Sequence, residues 1–115
     1  MNQEEMKERT KEFAKRAINL CRRLPNTREG RLIGDQLFRS GTSVGANYRA
    51  ACRARSKADF ISKLGIVLEE ADESLYWLEI LSETKIVKPE PVTPLMAEAR
   101  ELIAIFVASL TTAKG

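Results

Sequence analysis

Residues 28–55 read REGRLIGDQLFRSGTSVGANYRAACRAR, and the fold turns on whether this stretch is one helix or two. Ile33, Leu37, Ser40, Val44, Asn47, Ala51 and Ala54 fall at alternating spacings of four and three. That pattern is one narrow helix face in a heptad-like seam. The centre, Ser40 to Ala46, is made of small residues, and each glycine in it costs about 1 kcal/mol relative to alanine in a helix. The apolar phase crosses this centre unbroken. The stretch therefore reads as continuous helix from about Thr27 to Arg55, with Thr27 as N-cap. A break near Gly41 is the alternative. Small residues in such a helix suit the close approach of another helix backbone.

The flanking segments are helical too. Upstream, Met6, Phe13, Ala17, Leu20 and Leu24 recur every three to four residues until Pro25-Asn26 interrupts them. Glu4, Glu5 and Glu8 open this segment and Arg22 and Arg23 close it, as the helix dipole favours. Downstream, Ser56-Lys57-Ala58-Asp59 resembles a capping box with Asp in place of Glu. Phe60, Leu64, Val67, Ala71, Leu75, Leu78 and Leu81 then form one long face. Lys88 to Val92, with Pro89 and Pro91, reads as an extended linker. Thr93-Pro94 reads as the cap and first residue of a fourth helix carrying Leu95, Ala99, Leu102, Phe106 and Leu110. Residues 111–115 are expected to fray. No strand-like alternation, repeat or low-complexity tract occurs. The expectation is one all-α domain over residues 1–115, an antiparallel up-down four-helix bundle with two long central helices. An overhang of that long pair would favour oligomerisation.

The composition narrows the chemistry. The chain has 115 residues, a net charge of +3 and no histidine. Lack of histidine removes His-based triads, imidazole general bases and nearly all common catalytic zinc sites. Cys21 and Cys52 are too few and too far apart for a disulfide framework or a zinc knuckle, so they read as buried free thiols in a reducing compartment. The acidic, polar N-terminus is unlike a signal peptide, and no apolar run is long enough to span a bilayer. A cytoplasmic location is expected.

The net charge hides an asymmetry. Residues 1–57 hold 14 Lys and Arg against 6 Asp and Glu, whereas residues 58–115 hold 5 against 10. On a helical wheel, Arg28, Arg31, Arg39, Arg49 and Arg53 share an arc of about 80°, nearly opposite the apolar seam. A basic ridge about 35 Å long could follow a phosphate backbone, because guanidinium forks suit phosphate oxygens. Phe38 and Tyr48 flank the ridge and could stack on bases, although no RRM, KH or zinc-knuckle signature is present. Two plainer readings stand beside this one. The arginines could be a solvated helix face. They could also pair, within the chain or between subunits, with Glu69, Glu70, Asp72, Glu73, Glu79 and Glu83 of the third segment.

The joint pattern across these segments resembles a known family. Gln36-Leu37-Phe38-Arg39-Ser40, Thr42-Ser43-Val44-Gly45-Ala46-Asn47-Tyr48-Arg49, Ser56-Lys57-Ala58-Asp59-Phe60, Lys63-Leu64, Glu69-Glu70-Ala71-Asp72-Glu73 and Tyr76-Trp77-Leu78 carry it, with Phe13 to Pro25 upstream. The family comprises four-helix-bundle proteins encoded in intervening sequences of bacterial 23S ribosomal RNA genes. The resemblance implies a ring-like homo-pentamer and a link to ribosomal RNA or another nucleic acid. A related bundle is the accessory protein of diversity-generating retroelements, which partners a reverse transcriptase. Ala50 departs from the pattern, where Glu is expected after Tyr48-Arg49. If that Glu pairs with an arginine on a neighbouring helix, the contact is missing here.

The leading expectation is a non-enzymatic, RNA-associated oligomer contacting phosphates through the five arginines, with no cofactor or metal and no membrane partner. The alternative is a protein-binding scaffold or accessory subunit whose charged faces serve assembly. A carboxylate metalloenzyme built on Glu69, Glu70 and Glu73 is a third reading, disfavoured because di-iron bundles of this kind use Glu-x-x-His. Ser40 and Asn47 lie on the seam and are expected to fix helix register, not to perform chemistry. Tyr76 and Trp77 are expected to pack or to sit at an interface.

Overall fold

A computed structural model describes residues 1–115 as four helices: α1 (Gln3–Arg23), α2 (Arg28–Cys52), α3 (Lys57–Glu83) and α4 (Pro89–Lys114). They form an elongated antiparallel bundle of 45 × 20 × 19 Å. α2 packs between α1 and α3, α4 packs on α3, and α4 meets α1 along a shorter contact. The core is one cluster of 17 buried residues drawn from all four helices. No buried side-chain nitrogen or oxygen lacks a hydrogen-bond partner.

The caps explain where the helices begin. Thr27 Oγ1 accepts from the Gly30 N–H at 3.1 Å, and Ser56 Oγ accepts from the Asp59 N–H at 3.0 Å. Asp59 Oδ2 reaches back to accept from the Arg55 N–H at 3.2 Å, one residue earlier than a standard capping box. Asn2 Oδ1 caps α1 by accepting from the Glu5 N–H at 2.8 Å.

α2 runs unbroken through Gly41, and its buried face explains why. The buried positions are Gly30, Gly34, Leu37, Ser40, Gly41, Val44, Gly45, Tyr48 and Ala51. This face is rotated from the expected seam, so Ile33, Asn47 and Ala54 are only half-buried. Gly41 and Gly45 lie toward α1, and Gly30 and Gly34 toward the turn that follows it. A methyl group at Gly41 would sit 2.7 Å from the Ala17 Cβ, well inside van der Waals contact. Gly41 therefore lets the two backbones approach, and the contact outweighs its helix-propensity cost. At the turn, a Cβ on Gly30 would meet the Pro25 carbonyl oxygen at 2.3 Å, so the α1–α2 connection requires glycine there.

The fourth helix departs from expectation. It begins at Pro89, so the predicted extended linker and the Thr93 cap are both corrected. Pro89 and Pro91 occupy the first turn, where backbone N–H groups have no helical acceptor, so their missing donors cost nothing. Pro94 gives up one ladder bond, while buried Val92 and Leu95 anchor the turn in the core. At 26 residues α4 is as long as α2 at 25 and α3 at 27, and only α1, at 21, is shorter. Helix continues to Lys114, through the tail expected to fray.

Candidate nucleic-acid interface

The glycine seam sets where the arginines point. With the buried face of α2 against α1 and α3, the opposite face is solvent. Arg28, Arg31, Arg39, Arg49 and Arg53 are all exposed on it. Twenty-five residues separate the first and last, about 37 Å at 1.5 Å per residue.

One of the five is captured by the acidic helix. Arg39 Nη1 donates to Glu70 Oε2 at 3.1 Å, and its Nη2 donates to Glu73 Oε2. The Trp77 indole N–H donates to the same Glu73 oxygen at 3.1 Å. The hydrogen bond from Arg39 holds the Glu73 carboxyl below the usual carboxylate range, and the same bond raises the Arg39 guanidinium. Internal pairing between ridge and acidic helix therefore exists at this one position. Glu79 faces Arg100 of α4 instead, and Glu69, Asp72 and Glu83 are exposed without an ion pair.

The other four arginines form no ion pair within the chain. Arg31 Nη1 donates to Asn26 Oδ1 at 2.9 Å, which holds the guanidinium beside the α1–α2 turn. Arg49 and Arg53 border a polar crevice of about 250 Å³ with Glu4, Lys7, Glu8 and Lys11 of α1. Four cations thus face two carboxylates there, and one carboxylate, Glu4, is already engaged by Lys7 at 3.0 Å. Lys7 and Lys11 extend the basic surface across the groove and were not foreseen from the sequence. Their spacing of four puts them on one α1 face, but only the antiparallel register shows that this face meets Arg49 and Arg53.

Residues 2–108 match the family described as 23S rRNA-intervening sequence protein. The chain belongs to that family. A crystal structure of a family-related protein points the same way. It is described as a protein with unknown function from the S23 ribosomal protein family of Bacteroides thetaiotaomicron VPI-5482. That protein is 38% identical, covers 96% of this chain with 99% of its own, and superposes with a TM-score of 0.87. No curated protein matches.

The remaining candidate residues of this intervening-sequence family member fall into place around the bundle. Tyr48 does not flank the ridge as a stacking platform. Its ring is 8% exposed and packs on Phe106, with centroids 6.0 Å apart. Phe38 stays 48% exposed. Thr42 and Ser43 donate to the Phe38 and Arg39 carbonyls at 2.7 and 2.6 Å, and Asn47 Nδ2 donates to the Ser43 carbonyl at 2.8 Å. Ser40 Oγ points at the Leu37 carbonyl at 3.4 Å. These side chains bond their own helix. Tyr76 and Trp77 pack edge to face at 4.9 Å, with Tyr76 largely exposed.

No three carboxylates or thiols come together as metal ligands. Cys21 and Cys52 are free and half-buried, less enclosed than expected. Burial, aided by nearby Asp35, pushes the Cys21 thiol up to about 11, so it stays protonated at neutral pH. No helix is long and apolar enough to cross a membrane.

Proposed function

We propose that this protein is a non-enzymatic, cytoplasmic RNA-associated protein that works as a homo-oligomer, a pentameric ring by family resemblance. Its phosphate contacts come from the α2 ridge. The observation that carries the reading is the state of the arginines: Arg28, Arg31, Arg49 and Arg53 are exposed and form no ion pair, whereas Arg39 is held by Glu70 and Glu73. A solvated row of guanidinium groups on one rigid helix is preorganised for a polyanion, and releasing the counterions of that polyanion favours association.

The test is binding of structured RNA, ribosomal fragments included, across a salt series. Affinity should fall steeply between low and moderate salt. Replacing Arg28, Arg49 and Arg53 together by Glu should abolish binding while leaving helical content intact. Single neutral replacements at these positions should each reduce the log–log salt slope by about 1. Arg39→Glu belongs outside this set, because it places a third carboxylate beside Glu70 and Glu73. If the triple variant binds as well as wild type, the ridge is not the site.

A second reading is a scaffold or accessory subunit, for example of a reverse-transcriptase retroelement. It is favoured by large apolar side chains left exposed on the outside of α2 and α3: Leu32, Ile66 and Tyr76. On that reading the native oligomer carries no nucleic acid, as its 260/280 nm absorbance ratio would show, and the triple Arg variant changes oligomeric mass in light scattering.

A further inference from the structure

Where α1 ends and α2 begins, a crevice of about 330 Å³ opens beside the ridge. Its lining is uneven in a telling way. Gly34 contributes bare backbone, and the Cys21 thiol turns inward to donate to the Gly34 carbonyl at 3.4 Å. That thiol is uncharged at neutral pH, and Leu24 and Pro25 add apolar surface to the lining. One wall is Phe38, whose ring has no aromatic partner within the chain, since the two close ring pairs are Tyr48 with Phe106 and Tyr76 with Trp77. Arg31 stands at the rim, held by Asn26, with most of its donors free. Asp35 also lines the crevice and forms no ion pair, leaving its carboxylate oxygens unoccupied by a cation.

These features select among occupants. A phosphate inside the crevice would meet the Asp35 carboxylate. An uncharged planar ring would not, and its amino or imino N–H groups could donate to that carboxylate. A half-exposed phenylalanine beside guanidinium groups is the usual platform for an unstacked base. A base inside a duplex is already stacked and cannot reach the wall.

We propose that this crevice takes one unpaired base of a single-stranded polynucleotide, stacked on Phe38 and accepted by Asp35, with Arg31 on the adjoining phosphate. The proposal rests on the ridge reading above and gives it a ligand class, single strands over duplex. The strand continues along the α1–α2 groove to the crevice of Lys7, Lys11, Arg49 and Arg53. That second site has no hydrophobic side chain, and its four cations outnumber the carboxylates of Glu4 and Glu8, so it suits phosphates. It lies about 20 Å further along α2 from Phe38 at 1.5 Å per residue.

The experiment uses the intact protein and fluorescence anisotropy with labelled 12-nucleotide single-stranded RNA, single-stranded DNA of the same sequence, and an RNA duplex of equal length. Wild type should favour the single strands. Phe38→Ala should weaken single-strand binding about 5- to 150-fold, the range reported by alanine replacement of a stacking aromatic, and leave duplex binding unchanged. Phe38→Tyr should restore it. A 2-aminopurine placed mid-strand should be quenched by wild type and not by Phe38→Ala. The RNA and DNA arms then assign the natural source of the strand. Equal loss on single strand and duplex, or no loss, overturns the crevice while the ridge stands if the triple Arg variant still fails to bind. Absence of binding by wild type to all three probes overturns both.

Discussion

The contact that holds α2 against α1 can be isolated by making one substitution at two places. Gly41→Ala puts a methyl group 2.7 Å from the Ala17 Cβ, about an ångström closer than two carbons rest. Gly65→Ala, in the middle of α3, puts the same methyl group where nothing lies within 4 Å. Both changes gain the same helix propensity, about 1 kcal/mol. Only the first must also force two helices apart, at about 1–3 kcal/mol for overpacking. Gly65→Ala should therefore be more stable than wild type. Gly41→Ala should fall below Gly65→Ala by about 1–3 kcal/mol, because the propensity gain cancels between them. At roughly 4 °C per kcal/mol for a chain of this size, the two midpoints should differ by about 4–12 °C. Thermal and urea unfolding followed by far-UV circular dichroism, at one fixed protomer concentration, measures the gap. Ala17→Gly removes the methyl group that collides, so it should cost less in the Gly41→Ala background than in wild type. Equal midpoints for the two glycine variants would refute the close approach of α1 and α2.

Other outcomes test separate parts of the structure. Lys85 has φ 58°, a left-handed backbone just past the end of α3, so Lys85→Gly should raise stability by about 1 kcal/mol in the same unfolding assay. Glu73 has its native carboxyl lowered by Arg39, so the contribution of the pair is whole above the usual Glu range near 4.3 and disappears as pH falls through the lower native value. Wild type should therefore lose more stability on acidification from pH 5 to pH 3 than Glu73→Gln does. Arg9 of α1 donates to both oxygens of Glu98 at 2.7 and 2.8 Å and to Glu101 at 3.1 Å, tying α1 to α4 where their packing is slightest. Arg9→Met should cost about 1–2 kcal/mol, and a double-mutant cycle with Glu98→Gln should show coupling of the same sign.

Caps and periodicity made most of the fold legible. Thr27 and Ser56 announce α2 and α3 because a hydroxyl before an apolar-periodic run has one strong use, accepting from the first free N–H groups. The start of α4 lies at Pro89, ahead of the Pro94 that the sequence predicts, because the prolines between Lys88 and Val92 do not break the helix. Proline breaks a helix by removing a donor and clashing with the preceding turn, and the first turn has neither a ladder bond to lose nor a turn to meet. The seam of α2 was displaced for a related reason. A count of apolar side chains gives glycine no weight, yet Gly41 and Gly45 are buried against α1 and Gly30 and Gly34 against the α1–α2 turn.

The candidate site divides along the same line. That the arginines share one exposed face follows from helical period alone and was readable. Capture of Arg39 was not, because it depends on the register of α2 against α3. The partnership of Lys7 and Lys11 with Arg49 and Arg53 depends likewise on α1 against α2. The parting of Phe38 from Tyr48, one open and one against Phe106, depends on how far the buried face rotates toward the glycines. Interhelical register is set in the α1–α2 pair by contacts as small as the one between Gly41 and Ala17. The seam and the ridge are thus one device seen from two sides: the glycines that draw α2 onto α1 also turn its arginines outward and set the width of the groove between them. A change at Gly41 that separates the helices should therefore alter any ligand bound along the α1–α2 groove, even though Gly41 itself lies beneath the surface and touches nothing that binds there.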